Sequence, residues 1–381
     1  PAKLKVIDHY RETYECRSCR KNGTPYMEKA PVPYPPVLHS LASASTITWL
    51  IHQKFELSIP LYRQEKEWEA LGLRLSRATM SNWLLVVYRD WLVHIVHRLK
   101  LELLKQRYLH IDETHVQVLK EPGRKNTSDS YMWVYCSIRD AENPIRYFEY
   151  QPGRSGKYPE AFLREYEGYI HTDAYSGYNA VSGVKRCLCY THLRRAFVDA
   201  LPKDIHNSEA SKPAEAILRL NQLFNIESEL EALPPDQKKK ERLIREKPLL
   251  EAFWSWAEKS AIGELPKSKL SKAFHYALNN REGFWNYLED GNCSISNSLA
   301  ENCIRPFVIG RKNWLFSGSP KGAEASAGIY TLVETAKANG LAPMKYIKYI
   351  LSDMPGSAFL EHPEYLDDYL PWNPLVKEFC R

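Results

Sequence analysis

At 381 residues, with 44% hydrophobic and 26% charged residues, the chain has room for two or three domains and the composition of an ordinary globular protein. Its net charge of +6 permits nucleic-acid binding without establishing it, because local clustering of Lys and Arg matters more than the total. No apolar run approaches the roughly 18 residues of a membrane span, no secretory signal pattern is present, and the eight cysteines match no small disulfide scaffold, so a reducing cytoplasm is expected.

Residues 1–23 are polar and basic around Cys16-Arg-Ser-Cys19. From 24 to 37, Pro25, Pro31, Pro33, Pro35 and Pro36 forbid a helix and predict an extended arm or linker. Residues 38–107 are expected to be helical. There Leu61 to Leu71 stops at Gly72, and Ser76 can cap a second helix with Met80, Trp83, Leu84 and Val87 on one side.

Strand patterns then dominate 108–190: Tyr108–Leu119, Tyr131–Ile138, Ile145–Tyr150, Tyr169–Asp173 and Val184–Tyr190. A helical stretch over Tyr158–Glu167 separates the third from the fourth. Three strands, a helix and another strand predict a mixed sheet with a parallel crossover. Residues 202–290 lose the strand pattern and carry Leu223, Ile226 and Leu230 at helical spacing, which predicts a helical insertion. Strand signals resume near Trp314-Leu-Phe316, and a Gly/Ser turn leads into a helix over about Ala323 to Ala338. The expected segments are therefore 1–23, 24–37, 38–107, 108–201, 202–290, 291–350 and a C-terminal extension over 351–381.

Three acids sit in separate settings. Asp112 lies in a strand-like run, Asp173 ends another, and Glu301 lies near the start of a helix. Carboxylates from separate elements can bind two divalent cations, and such a pair can clamp both oxygens of a phosphodiester exchange. Two of the acids also have a local explanation. Ser298-x-x-Glu301 is the spacing of a capping box, and Asp173 is a turn former before Gly177.

Longer motifs surround the acids: His110-Ile-Asp112-Glu-Thr, His171-Thr-Asp173-Ala-Tyr-Ser-Gly-Tyr-Asn179 and Cys189-Tyr-Thr-His192-Leu-Arg-Arg195. Ala300-Glu301, Arg305-Pro306, Gly310-Arg-Lys-Asn-Trp-Leu-Phe316 and Asp368-Tyr-Leu-Pro-Trp372 follow in order. In these motifs the chain resembles the IS66 family of bacterial insertion-sequence transposases. It departs from the family's usual text at Asn302, where Arg often follows the Glu, and at Tyr190, where Trp often follows the Cys.

The resemblance implies an RNase H-like core with Asp112, Asp173 and Glu301 as catalytic metal ligands for magnesium or manganese, two ions per site. It implies DNA as partner (terminal inverted repeats and target), accessory proteins of the same element, and homo-oligomers on DNA near the nucleoid. It also implies a zinc-binding N-terminal module, of which Cys16 and Cys19 would be a remainder. Because the chain begins at Pro1, the first zinc ligands are expected upstream of it.

The remaining candidates concern DNA. Gly72 to Trp83 has the pattern of a helix-turn-helix, with Arg77, Ser81 and Asn82 outward. Arg305, Arg311 and Lys312 follow Glu301 closely and suit phosphates, as do Arg194 and Arg195, although a solvated helix face explains the latter pair equally well. Trp314 can stack on a base or belong to the core. Cys189-x-x-His192 needs two further ligands to hold a metal, so a structural role near the acids is the alternative. The expectation is a DNA transposase. Its alternatives are an RNase H-like nuclease and a transposase-derived DNA-binding protein without strand transfer.

Overall fold

The computed structural model describes residues 3–202 and 211–381. At the N-terminus, β1 (Thr13–Glu15), α1 (Arg17–Lys21) and β2 (Met27–Lys29) form a small exposed unit in which the strands pair antiparallel. The pairing takes Met27–Lys29 out of the proline-rich arm. Pro25 and Pro31 flank the strand without entering it, so no ladder bond is lost to a missing N–H.

α2 (Ala44–Ile51) starts at Ser43, whose hydroxyl accepts from the Thr46 N–H, and continues as a wider turn through His52–Glu56. α3 (Leu61–Ala70) ends before Gly72, which holds φ at +87°, a conformation that favours glycine. Ser76 caps α4 (Arg77–Val87) through the Thr79 N–H, and Met80, Trp83, Leu84 and Val87 are its buried residues. The chain winds on through Tyr88–Leu92 into α5 (Val93–Leu104).

β3 (Tyr108–Val118), β4 (Asp129–Ser137) and β5 (Arg146–Gln151) form an antiparallel meander. α6 (Lys157–Phe162) lies in the crossover that follows. β6 (Tyr169–Thr172) then pairs parallel with β3, and β7 (Lys185–Leu188) parallel with β6. The order β5-β4-β3-β6-β7 makes a mixed sheet with β3 at its centre.

α7 (Tyr190–Val198) leaves β7. The expected insertion opens across residues 203–210, which lie outside the described residues. Beyond them come α8 (Lys212–Glu229), α9 (Pro235–Ala261), α10 (Lys269–Asn279) and α11 (Arg281–Trp285). With α7 and β7 they enclose an apolar cluster that includes Leu193, Phe197, Leu223, Phe253, Trp254 and Phe274. Buried Arg242 pairs with Glu227 at 2.5 and 2.8 Å and donates to the Tyr287, Asp290 and Cys293 carbonyls. These bonds fix where the chain returns to the sheet.

The return runs through α12 (Ser298–Trp314), β8 (Phe316–Ser317), α13 (Pro320–Ala338), α14 (Pro343–Asp353) and α15 (Pro374–Cys380). The strand expected around Trp314 shrinks to β8. Trp314 instead closes α12 and packs edge-on against Phe307, ring centroids 5.3 Å apart, a contact that helical spacing makes possible two turns back. α13 covers the outer edge of the sheet: Phe148 and Arg146 N–H donate to Thr331 and Thr335 Oγ1 at 2.8 and 3.1 Å. Those two hydroxyls satisfy edge-strand donors that would otherwise be exposed to pairing with another chain. Among the described residues, no helix is long and apolar enough to cross a membrane.

Candidate active site

Parallel pairing of β3 with β6 brings two of the acids together. His110 is in register with His171, and Asp112 and Asp173 each lie two residues further along. Side chains repeat every second residue on a strand, so Asp112 shares a face with His110. His110 and His171 stack, with ring centroids 4.2 Å apart and planes 9° from parallel. Asp173 stands just beyond the end of β6, where its Oδ1 accepts from Tyr175 N–H at 3.0 Å. It therefore shapes a turn as well as facing the other acids. Arg186 of β7 braces that turn by donating to the Asp173 and Tyr175 carbonyls at 2.6 and 2.8 Å.

Glu301 arrives on α12, which packs across β3 and β4. Asn297, immediately before the helix, is buried and locks it to β3: its Nδ2 donates to the Ile111 carbonyl at 2.8 Å. Ser298 lies inside the helix and not at its cap, so the capping-box geometry is not formed. Glu301 Oε1 is instead a buried atom without a hydrogen-bond partner.

The charges reflect the proximity of the three acids. Burial pushes the Asp112 carboxyl up to about 7, and the negative charges of Glu113, Asp173 and Glu301 add to the rise, against a hydrogen bond from Glu113 N–H. His192 of α7 is 3.8 Å from Glu301 Oε1 through its Nδ1. The Cys189 side chain raises the His192 ring above its usual range, burial opposes this, and the charges of Glu301 and Asp173 reinforce it. Cys189 is buried at the start of α7, with its Sγ accepting from Asn297 N–H at 3.1 Å. Burial raises its thiol, but His192 and Asn297 more than offset this and hold it low.

The other residues singled out from sequence fall in several places. Arg77 and Asn82 are exposed at α4. Arg305 and Lys312 are exposed along α12, whereas half-buried Arg311 donates to Thr114 Oγ1 at 3.1 Å on β3. Arg195 is exposed, but Arg194 turns to Asn221 of α8 at 2.7 Å. Cys16 and Cys19 lie at α1, half-buried, and neither joins a cluster of three potential metal ligands among the described residues.

Sequence reasoning missed several residues that brace the acidic centre. Glu113 is clamped by Arg154 at 2.6 and 2.7 Å and by the Tyr178 hydroxyl, and Arg154 stacks over Tyr175 at 3.9 Å. Glu113 and Tyr178 stand inside the quoted motifs, and Asn297 stands one residue before Ser298-x-x-Glu301. Nothing local marks Arg154.

Fold and site together describe an α/β protein with an acidic centre at the heart of a mixed sheet. A profile of the Transposase IS66 family matches residues 39–325, and the chain belongs to that family. It is also similar to proteins of Sinorhizobium fredii. "Uncharacterized protein y4hP" is 26% identical across 98% of this chain and 68% of its own length. "Uncharacterized protein y4jD" is 26% identical across 98% and 73%, and "Uncharacterized protein y4qI" 27% across 98% and 69%.

Proposed function

We propose that the protein is a DDE-class DNA transposase that cuts phosphodiester bonds at the ends of an insertion sequence and joins them to target DNA. The observation that carries this is the convergence of Asp112, Asp173 and Glu301, with Asp112 driven up to about 7 by burial and by its acidic neighbours. Three acids gathered at one place, one with a buried oxygen that accepts no hydrogen bond, fit the oxygen-ligand chemistry of magnesium or manganese. Family membership points the same way.

In this reading the sheet and α12 form an RNase H-like core, and Asp112, Asp173 and Glu301 hold the divalent cations. The bound cations supply Lewis acidity for activating water and for offsetting charge on the phosphate. The chain's own part is orientation. His110 and Asn297 fix α12 against β3, Arg186 fixes the Asp173 turn, and Arg154 pairs with Glu113 beside Asp112. Arg305 and Lys312 meet backbone phosphates, Arg311 steadies β3 beside the acids, and α3–α4 serves as a helix-turn-helix that presents Arg77 and Asn82 to bases.

The test is cleavage and strand transfer on terminal-repeat DNA, with binding measured in parallel. Asp112→Asn, Asp173→Asn and Glu301→Gln keep side-chain volume, so each should abolish cutting while leaving DNA binding largely intact. Near-normal cutting by any one of them removes that residue from the triad. Cutting without joining by the native chain would favour a non-transposing nuclease.

A further inference from the structure

Two groups of side chains among the described residues bring three potential metal ligands within 4.8 Å of one another: His171 with Cys187 and Cys293, and Cys189 with His192 and Glu301. Their hydrogen bonding separates them. Both ring nitrogens of His171 are engaged: Nε2 accepts from Ser294 N–H at 2.9 Å, which leaves the proton on Nδ1 to donate to the Leu109 carbonyl at 3.2 Å. That group is a satisfied buried network.

The second group is only partly satisfied, Cys189 and His192 interacting with each other. His192 Nδ1 and Glu301 Oε1 are both buried atoms without a hydrogen-bond partner, and they face each other across 3.8 Å. An unpaired buried nitrogen and oxygen cost free energy unless a ligand or proton lies between them. Cys189 completes the trio, and its sulfur already accepts the Asn297 N–H, the kind of outer-shell bond that supports a metal-bound thiolate.

We propose that Cys189, His192 and Glu301 form a binding site for a zinc-type divalent cation, separate in its chemistry from the carboxylate centre but sharing Glu301 with it. One sulfur, one nitrogen and one oxygen are the donor types zinc takes, and three protein ligands leave a fourth position open to water or phosphate. In tetrahedral zinc, donors of these types sit about 3.5 Å apart, so the observed spacing needs only small side-chain movements. Binding releases the thiol proton of Cys189 to solvent. It also draws Glu301 from the carboxylate centre, so a captured zinc ion would inhibit the chemistry proposed above. That consequence rests on the transposase reading. The site itself does not.

Cobalt(II) is the probe, added to the metal-free full chain with a non-thiol reductant. A thiolate-to-cobalt absorption band should appear, persist in excess magnesium, and vanish as zinc displaces cobalt, because zinc binds such sites more tightly. The band should be lost in Cys189→Ser and kept in the double variants Cys16→Ser/Cys19→Ser and Cys187→Ser/Cys293→Ser. No band, or one untouched by Cys189→Ser, overturns the proposal. Should Cys189→Ser fail to fold, the half-exposed Glu301 decides. Glu301→Gln should weaken cobalt binding by at least the roughly 10–100-fold that loss of a supporting bond costs, and unchanged affinity overturns the site. None of these readings needs DNA cleavage, so a failure here leaves the transposase reading standing. An inactive chain that binds cobalt in this way leaves the site standing.

Discussion

Asn297 and His110 share a buried hydrogen bond of 3.0 Å that ties the start of the Glu301 helix to the strand carrying Asp112. Burial, together with the neighbouring His171, holds the His110 ring well below its usual range, so it is neutral. Its Nδ1–H donates to Asn297 Oδ1, because the amide's Nδ2 is committed to the Ile111 carbonyl at 2.8 Å. Two of the three acids are therefore positioned relative to each other by one carboxamide.

Replacing that carboxamide should loosen the site and cost stability. Asn297→Ala leaves the His110 N–H buried without a partner, an expected loss of about 1–3 kcal/mol in denaturant unfolding. Cleavage should fall further than the folded fraction does, because Glu301 loses its anchor. A variant with native stability and native cutting would show that α12 is placed by packing alone.

The helices beyond β7 carry a pH-sensitive acid. Burial and the nearby Glu227 charge push Glu246 up to about 8 from an ordinary 4.5, while Tyr287 OH donates to it at 2.6 Å. The unfolded chain releases this proton near 4.5 and the folded chain near 8, so stability falls as pH rises through that window and the penalty persists above it. Glu246→Gln removes the penalty. Its thermal stability relative to the native chain should rise between about pH 5 and about pH 9, and a pH-independent difference would place the proton elsewhere.

DNA recognition should divide between two surfaces. Arg77→Ala with Asn82→Ala should weaken binding to terminal-repeat DNA more than to random duplex, by about 1–3 kcal/mol for each side chain that reads a base edge. Arg305→Ala with Lys312→Ala should weaken both alike and flatten the salt dependence by about 0.9 in slope for each phosphate no longer neutralised. Titration of both duplexes at two salt concentrations separates the surfaces. Equal weakening on both duplexes for the first pair would make α4 a packing element.

Gly291 marks where the chain returns to the sheet. A β-carbon there would lie 1.8 Å from the Pro235 carbonyl oxygen at the start of α9, a backbone atom that cannot turn aside. Gly291→Ala should cost about 1–3 kcal/mol in thermal or denaturant unfolding. Gly318 has nothing within 4 Å of its added carbon, so Gly318→Ala should stay within about 0.5 kcal/mol of native.

Local pattern was sufficient for most of the elements between 38 and 338. Strand-type runs marked β3 to β7, and Ser76, Gly72 and the spacing of Met80, Trp83, Leu84 and Val87 marked the ends and buried side of α4. These features depend on residues a few positions apart, so they are written in the sequence directly. Motif order also marked Asp112, Asp173 and Glu301 as a set, but Asp173 and Glu301 each had a local alternative that sequence left open.

Tertiary structure brought the three acids together, with Asp173 still shaping its turn. Parallel register placed Asp112 and Asp173 at matching positions beyond His110 and His171, and packing of α12 turned Glu301 from a capping residue into a neighbour of His192. Trp314, expected in a strand, instead ends a helix and packs on Phe307 two turns back, and a long-range contact drew Arg194 to Asn221. The braces Arg154 and Asn297 act on residues brought near only by strand pairing and helix docking. Their partners are distant in the chain, so no window of sequence contains both ends of the interaction.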